Sequence, residues 1–319
     1  MNNPISISIN LDSLNEAYGF PKNFSDSTFH QVFKRIEKVA EKYNFPLTIF
    51  IIGKDLEDKK NLSRVKEWHE KGYEIGNHSY NHLFNFGSLN KFYLKDEIFR
   101  AHEKIFQITG QEPKGFVAPT WGHSKKLLDI LIDLKYEYDT SSFPSFLLYP
   151  MIAKIVYNHK TNIKKGIKIL NRSDWFDPLL KPTNPYLINK NGKINNLKDA
   201  QNILEMPLPT LNRLKPCIWH TLSFILSKDY FKNQITQLLS SHKGFYYVMH
   251  PADFLDIEDL DKKMSLNLER INISLKNKLD LIDEIFYMFA KSGRKMVTMR
   301  ELAIHNKNEI INKNNNLKN

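Results

Sequence analysis

The sequence predicts an α/β protein whose parallel strands form a layer or a barrel. Three observations carry this. Apolar residues alternate at every second position over 5–11 and recur with helical spacing over 29–43. The same strand-then-helix order repeats through 47–53, 61–71, 73–76, 94–109, 115–118, 125–134 and 136–139, which implies parallel strands with right-handed crossovers. Finally, Asp12, His78, Pro119 and Asp139 all fall at strand ends, the edge where such folds collect functional groups.

Taken in order, Ile5, Ile7, Ile9 and Leu11 alternate with Ser6, Ser8 and Asn10, and this first strand ends in Asp12-Ser13. Val32, Phe33, Ile36, Val39 and Ala40 share one helical face, stopped by Asn44-Phe45-Pro46. Residues 47–53 read as a buried strand closed by glycine, and 73–76 as a short strand leading into Asn77-His78. From 143 the texture changes. Prolines at 144, 150, 178, 182 and 185 interrupt aromatic and basic segments, predicting an irregular insertion over one face of the sheet at about 143–202. Regular signals resume at Ile203-Leu204-Glu205-Met206-Pro207, and residues 245–250 form a strand ending in His250. A helix at 280–292 and a last strand at 295–298 complete one domain spanning 1–304. The Asn- and Lys-rich stretch 305–319 is expected to be a disordered tail. No internal repeat is visible.

Hydrophobic residues at 41% and charged residues at 25% suit a soluble globular chain of 319 residues. The net charge of +11 is spread without a dense Lys/Arg block, so it does not point to nucleic acid. Cys217 is the single cysteine, which excludes an internal disulfide or a Cys-based zinc site and suits a reducing compartment. Met1-Asn2-Asn3-Pro4-Ile5 lacks the basic flank and apolar run of a signal peptide. No apolar run approaches the ~20 residues that span a bilayer. The expectation is a cytoplasmic protein, with substrates at the inner membrane face within reach.

The sharpest local feature is Asn77-His78-Ser79-Tyr80-Asn81-His82. Histidines four apart share one face of a helical turn, so both imidazoles can reach one ion. Alone, such a pair serves surface or capping roles more often than metal binding. Its place after a glycine-bearing strand, and Asp12 at another strand end, favour a site. Two histidines and a carboxylate leave positions open for water and substrate, as catalytic metal centres require.

With these residues in view, the chain resembles the NodB-homology polysaccharide deacetylases, carbohydrate esterase family four. The ordered matches are the strand Asp, Asn77-His78-Ser79-x-x-His82, Gly115-Phe116-Val117-Ala118-Pro119, Tyr136-x-Tyr138-Asp139-x-Ser141 and the late strand ending in His250. They run from Ile5 to about Thr298. The likeness is greatest to the branch with Asp-x-Asp-Ser-Leu first and Tyr-Asp-Ser-Ser-x-Phe-Pro-Ser in the middle. Here these read Asn10-Leu11-Asp12-Ser13-Leu14 and Tyr138-Asp139-Thr140-Ser141-Ser142-Phe143-Pro144-Ser145. The resemblance implies a distorted (β/α) barrel with fewer than eight strands, one divalent metal (zinc, with cobalt as the alternative) and hydrolysis of the acetamide of an N-acetylated sugar. It implies Asp12, His78 and His82 as ligands, His250 as the acid that protonates the leaving amine, and Asp139 as the carboxylate that orients that acid. It also implies a backbone N–H donor to the oxyanion near Thr120, after Pro119. Among the nearby aromatics, Trp121 is the one expected to face substrate.

Two departures from the family pattern stand out. The general-base carboxylate is Asn10, an amide that accepts no proton at neutral pH. The arginine that pairs with that base is Val117. Losing both is coherent, since an arginine without its carboxylate would be an unpaired charge beside a metal. Sliding the first motif would make Asp12 the base and Ser13 the second position; the strand alternation favours the first alignment. Losing a general base costs roughly 10²–10⁴-fold in rate, unless a metal-bound hydroxide reacts slowly or another carboxylate, such as Asp253, takes over. Two other readings compete: a degenerate member that binds carbohydrate or a partner without hydrolysis, and a metal-dependent phosphoester hydrolase. The latter needs carboxylates for a second metal, and the motifs offer none.

Overall fold

In a computed structural model, the structure describes residues 3–21, 23–158, 167, 170–172, 174–194, 201–211, 216–241, 243–260 and 269–316. Among the described residues nine strands form one sheet, eight of them along its main path: β1 (Ile5–Leu11), β2 (Leu47–Ile51), β3 (Glu74–Asn77), β4 (Gly115–Phe116), β5 (Tyr138–Asp139), β6 (Tyr186–Asn189), β7 (Asn202–Glu205) and β8 (Phe245–Met249). Their order is β6-β7-β5-β4-β3-β2-β1-β8, and the two-residue β9 (Met296–Val297) pairs with β1. From β7 to β8 along that order every pairing is parallel, and only β6 runs antiparallel. The parallel strands make the distorted, open barrel.

All of β1 is buried, including Ser6, Ser8 and Asn10 on its polar face. Alternation in a flat sheet would leave one face wet; curling the sheet puts that face inside the barrel. The helices Phe33–Lys42, Lys59–Glu70, Lys91–Thr109 and Lys125–Asp133 connect successive strands, as right-handed crossovers require. Side-chain caps start several of them: Asp58 accepts from Lys60 N–H, Asn90 from Tyr93 N–H and Ser124 from Leu127 N–H.

Register decides where the site forms. Leu11 pairs with Ile51, Ile51 with Asn77, and Asn77 with Phe116. The residues just beyond, Asp12, His78 and Val117, therefore emerge side by side at the carboxyl edge.

Two expectations change. Residues 159–166, 168–169, 173 and 195–200 of the expected insertion lie outside the described residues, but the rest is more regular than its prolines suggest. It supplies the helix Leu148–Asn158 and the hairpin of β6 and β7 that extends the sheet. Prolines 182 and 185 masked the strand Tyr186–Asn189, which is buried throughout. Residues 305–316 of the supposed tail are helical, being part of the helix Met299–Asn316, and 317–319 lie outside the described residues. Met299, Leu302 and Ala303 are buried and Ile310 packs on the core, so a few apolar anchors outweigh the Asn/Lys composition.

Candidate active site

The His78–His82 segment is not a helical turn. Ser79 and His82 both adopt left-handed backbone (φ 63° and 51°), and side chains fix the loop. Asn77 Oδ1 accepts Ser79 N–H at 2.8 Å, and its Nδ2 donates to the Ile98 carbonyl and the Tyr136 hydroxyl. Ser79 Oγ accepts His82 N–H at 3.2 Å. The loop still brings the two imidazoles together, with ring centres 4.9 Å apart.

His78 Nδ1 lies 2.7 Å from the Val117 carbonyl, so that nitrogen carries the proton and Nε2 offers its lone pair. Nε2 sits 3.1 Å from Asp12 Oδ1, and His82 Nε2 sits 3.5 Å from the same oxygen. Burial alone would push the Asp12 carboxyl up, but His82 and His78 hold it well below the usual carboxylate range. Burial lowers His78 despite the neighbouring Asp12. An ionised carboxylate and a neutral imidazole are the forms that ligate metal. One donor atom from each of the three residues lies within 4.8 Å of the others, so Asp12, His78 and His82 can hold one divalent cation.

His250 follows β8 and caps the turn Pro251–Phe254. Its charge is felt at Asp12, and its ring stands 5.9 Å from that of Trp121, nearly perpendicular. The carboxylate beside it is Asp253, not the expected Asp139. Asp253 Oδ2 accepts His250 N–H at 3.0 Å and lies 3.8 Å from Nδ1. Its other oxygen accepts from Thr221 Oγ1 at 2.8 Å and pairs with Arg270 at 3.1 Å. Full burial would raise Asp253, but Arg270 and His250 hold it far below the usual range. A carboxylate so engaged is an orienting group rather than a base for water. Tyr18, unnoticed in the sequence, places its hydroxyl 3.4 Å from Arg270, close enough to Asp12 and Asp253 to feel both charges.

The third motif lies beside His250 through Trp121. Thr120 and Trp121 are both left-handed (φ 53° and 52°) after Pro119, a conformation that costs on the order of 1 kcal/mol or more each and persists only when neighbours enforce it. Arg172, from the insertion, does so. It donates to the carbonyls of Thr120 (3.1 Å) and Trp121 (3.0 Å) while paired with buried Asp174. No local motif marked Arg172. Trp121 is only 8% exposed, packed against Phe143, Trp219 and His250, so most of its ring forms wall. Asn10 is buried, and its carbonyl accepts Asp12 N–H at 2.8 Å. Val117 is buried and serves His78 through its backbone.

Asp139 belongs elsewhere. The side-chain contacts of Asp139 are with Ser141, Glu205 and His123. Burial raises both Asp139 and Glu205; the charge and hydrogen bond of Asp139 raise Glu205 further, while the hydrogen bond from Glu205 eases the rise at Asp139. A separate cavity of about 600 Å³ opens at the amino end of β8, beside Met206, Tyr246 and Leu302, and shares no residue with the Asp12 centre.

The class defined by these features is a distorted parallel barrel with an Asp-His-His centre on its carboxyl edge. Residues 23–138 match the polysaccharide deacetylase family. A peptidoglycan deacetylase of Helicobacter pylori is 27% identical over 147 residues, 46% of this chain and 47% of that protein. A peptidoglycan-N-acetylglucosamine deacetylase of Bacillus cereus is 28% identical over 99 residues, 31% of this chain and 34% of that protein. The chain thus spans less than half the length of these curated relatives. Over nearly the whole chain the fold is that of a crystal structure described as a putative polysaccharide deacetylase from Mycobacterium smegmatis (TM-score 0.61, 12% identity, covering 97% of this chain and 92% of that one). It is also similar to a CE4 family pseudoenzyme from Bacillus anthracis (TM-score 0.50, 14% identity, covering 95% and 66%). Over residues 23–138 the chain is thus similar to the polysaccharide deacetylases, and its fold is that of the NodB-homology, carbohydrate esterase family four structures.

Proposed function

We propose that the chain hydrolyses the acetamide of an N-acetylated sugar in a surface-glycan pathway, using one divalent metal, most simply zinc. The observation that supports this reading is the Asp12–His78–His82 centre with His250 near enough for its charge to act on Asp12. A cation bound there supplies Lewis acidity towards the acetyl carbonyl and acidifies water. The protein's own groups supply the rest. Asp12 and the two imidazoles fix the position; the Thr120 backbone N–H, on a turn clamped by Arg172, stabilises the developing oxyanion. His250, held by Asp253, gives its proton to the leaving amine. Asn10 orients water through its amide and takes no proton. The buried thiol of the single cysteine, Cys217, suits a reducing interior and a cytoplasmic site of action. Among the described residues no helix is long and apolar enough to cross a membrane.

A second reading, carbohydrate binding without hydrolysis, is favoured by Asn10 and Val117 at the two departed positions, and the Bacillus anthracis neighbour is itself described as a pseudoenzyme. Acetate release from a panel of N-acetylated sugars, with zinc-loaded and chelator-treated protein, separates the two. Metal-dependent release supports hydrolysis. Saturable sugar binding with no release from any member of the panel supports the second reading.

A further inference from the structure

The fold assembles a second cluster that the motifs did not announce, although the sequence had offered no carboxylates for a second metal. His123, Asp139 and Glu205 each place a donor atom within 4.8 Å of the others, and all three are buried. They come from the turn after Trp121, the end of β5 and the end of β7, adjacent in the sheet.

Each carboxylate is held by one oxygen and leaves the other exposed to the cluster. Asp139 Oδ1 accepts from Ser141 Oγ at 2.6 Å, and Glu205 Oε1 accepts from Ser142 N–H at 3.0 Å. Asp139 Oδ2 and Glu205 Oε2 are fully buried and have no hydrogen-bond partner beyond one another. Glu205 Oε2 faces His123 Nε2 at 3.6 Å, while Asp177 Oδ2 lies 3.3 Å from His123 Nδ1 on the far side of the ring. A carboxylate on one ring nitrogen and a ligand on the other is the arrangement by which proteins orient a ligating histidine.

Three buried carboxyl groups around one imidazole need either protons or a bound cation, since an uncompensated buried charge costs several kcal/mol. Lys181 offsets part of this at Glu205. One imidazole and two carboxylates are a donor set for zinc or a similar first-row divalent ion. We propose that His123, Asp139 and Glu205 form a second divalent-metal site, with Asp177 orienting His123, distinct from the Asp12 centre.

This site does not depend on the proposed activity, and metal counting tests it directly. Protein stripped with chelator, reloaded with Zn²⁺ and desalted should hold two ions per chain by mass spectrometry. The double variant His78→Ala/His82→Ala should keep one, Glu205→Gln should also keep one, and the triple variant none. Parent protein holding a single ion that the double variant loses and Glu205→Gln retains would overturn the proposal. Should Glu205→Gln fail to fold, anomalous diffraction from zinc-soaked parent crystals decides. The expected result is a peak ~2.0–2.2 Å from His123 Nε2, Asp139 Oδ2 and Glu205 Oε2. A peak at Asp12 alone contradicts it, and leaves a proton shared between Asp139 and Glu205 as the compensating charge.

Discussion

The carbonyl oxygen of Val117 lies 2.7 Å from His78 Nδ1, while the same ring's Nε2 lies 3.1 Å from Asp12. One backbone bond from β4's end thus sets which nitrogen of His78 faces the site. The side chain at 117 has no part in it. Val117→Ala should leave zinc affinity within about twofold, whereas His78→Ala should lower it by ~100-fold or more, beyond the usual loss for an orienting partner. Competition titration with a chromophoric chelator measures both, in a Glu205→Gln background so that one site is read.

Asp253 is held on one side by Thr221 and Arg270 and on the other by His250. Asp253→Asn should lower kcat by roughly 10–100-fold with KM changed less than about twofold, because the lost interaction acts on the proton donor rather than on ground-state binding. An equal rise in KM would mean that Asp253 shapes the sugar pocket instead.

Asn10→Asp restores a carboxylate where the family pattern has its base. Val117 is buried among apolar side chains, so the partnering cation is absent and the new carboxylate lacks its tuning. The single change should raise acetate release modestly, under the ~10² a fully tuned base can supply. Val117→Arg added to it should raise release further, to more than the two single changes combined. A parent rate that neither change improves would show that the base has been replaced.

His220 is fully buried, with Nδ1 2.8 Å from the Tyr247 hydroxyl and its ring stacked on Phe254. Burial pushes its pKa down to about 4, while in the unfolded chain it stays near the ordinary value of about 6.5. Between these values the unfolded chain binds the extra proton, so stability falls as pH drops from ~6.5 to ~4 and is untouched above. The loss is on the order of 3 kcal/mol. His220→Gln should flatten that part of a denaturation-versus-pH curve, even if it lowers stability at pH 7.

Gly87 and Gly122 cross closely where the loop after His82 meets the third motif. A Cβ on Gly87 would stand 2.6 Å from the Gly122 carbonyl oxygen, and neither backbone can yield cheaply. Gly87→Ala should cost about 1–3 kcal/mol in thermal unfolding and lower acetate release, since Thr120 and Trp121 lie on the displaced turn.

Much of this was legible in the sequence. A period-two run gave β1, near-continuous apolar runs gave β2 and β8, and strand ends gave Asp12, His78 and His250, because parallel strands deliver their last residues to one edge. The His78–His82 spacing picked out two rings that do meet, but not on a helical turn: left-handed Ser79 and His82, fixed by Asn77, are invisible to periodicity. Asp139 was assigned a partner by motif order, while sheet order gives it His123 and Glu205. Glu205 did leave a signal, as an acid closing the apolar run Ile203-Leu204. Arg172 left none, since its reach to Thr120 depends on how the insertion folds back.

The central claim is tested most directly by acetate release from N-acetylglucosamine oligomers, comparing zinc-loaded parent protein with Asp12→Ala prepared in the same way. The account predicts measurable release by the parent and a fall of ~100-fold or more in the variant, with the fold retained by circular dichroism. Equal release by both proteins would contradict it.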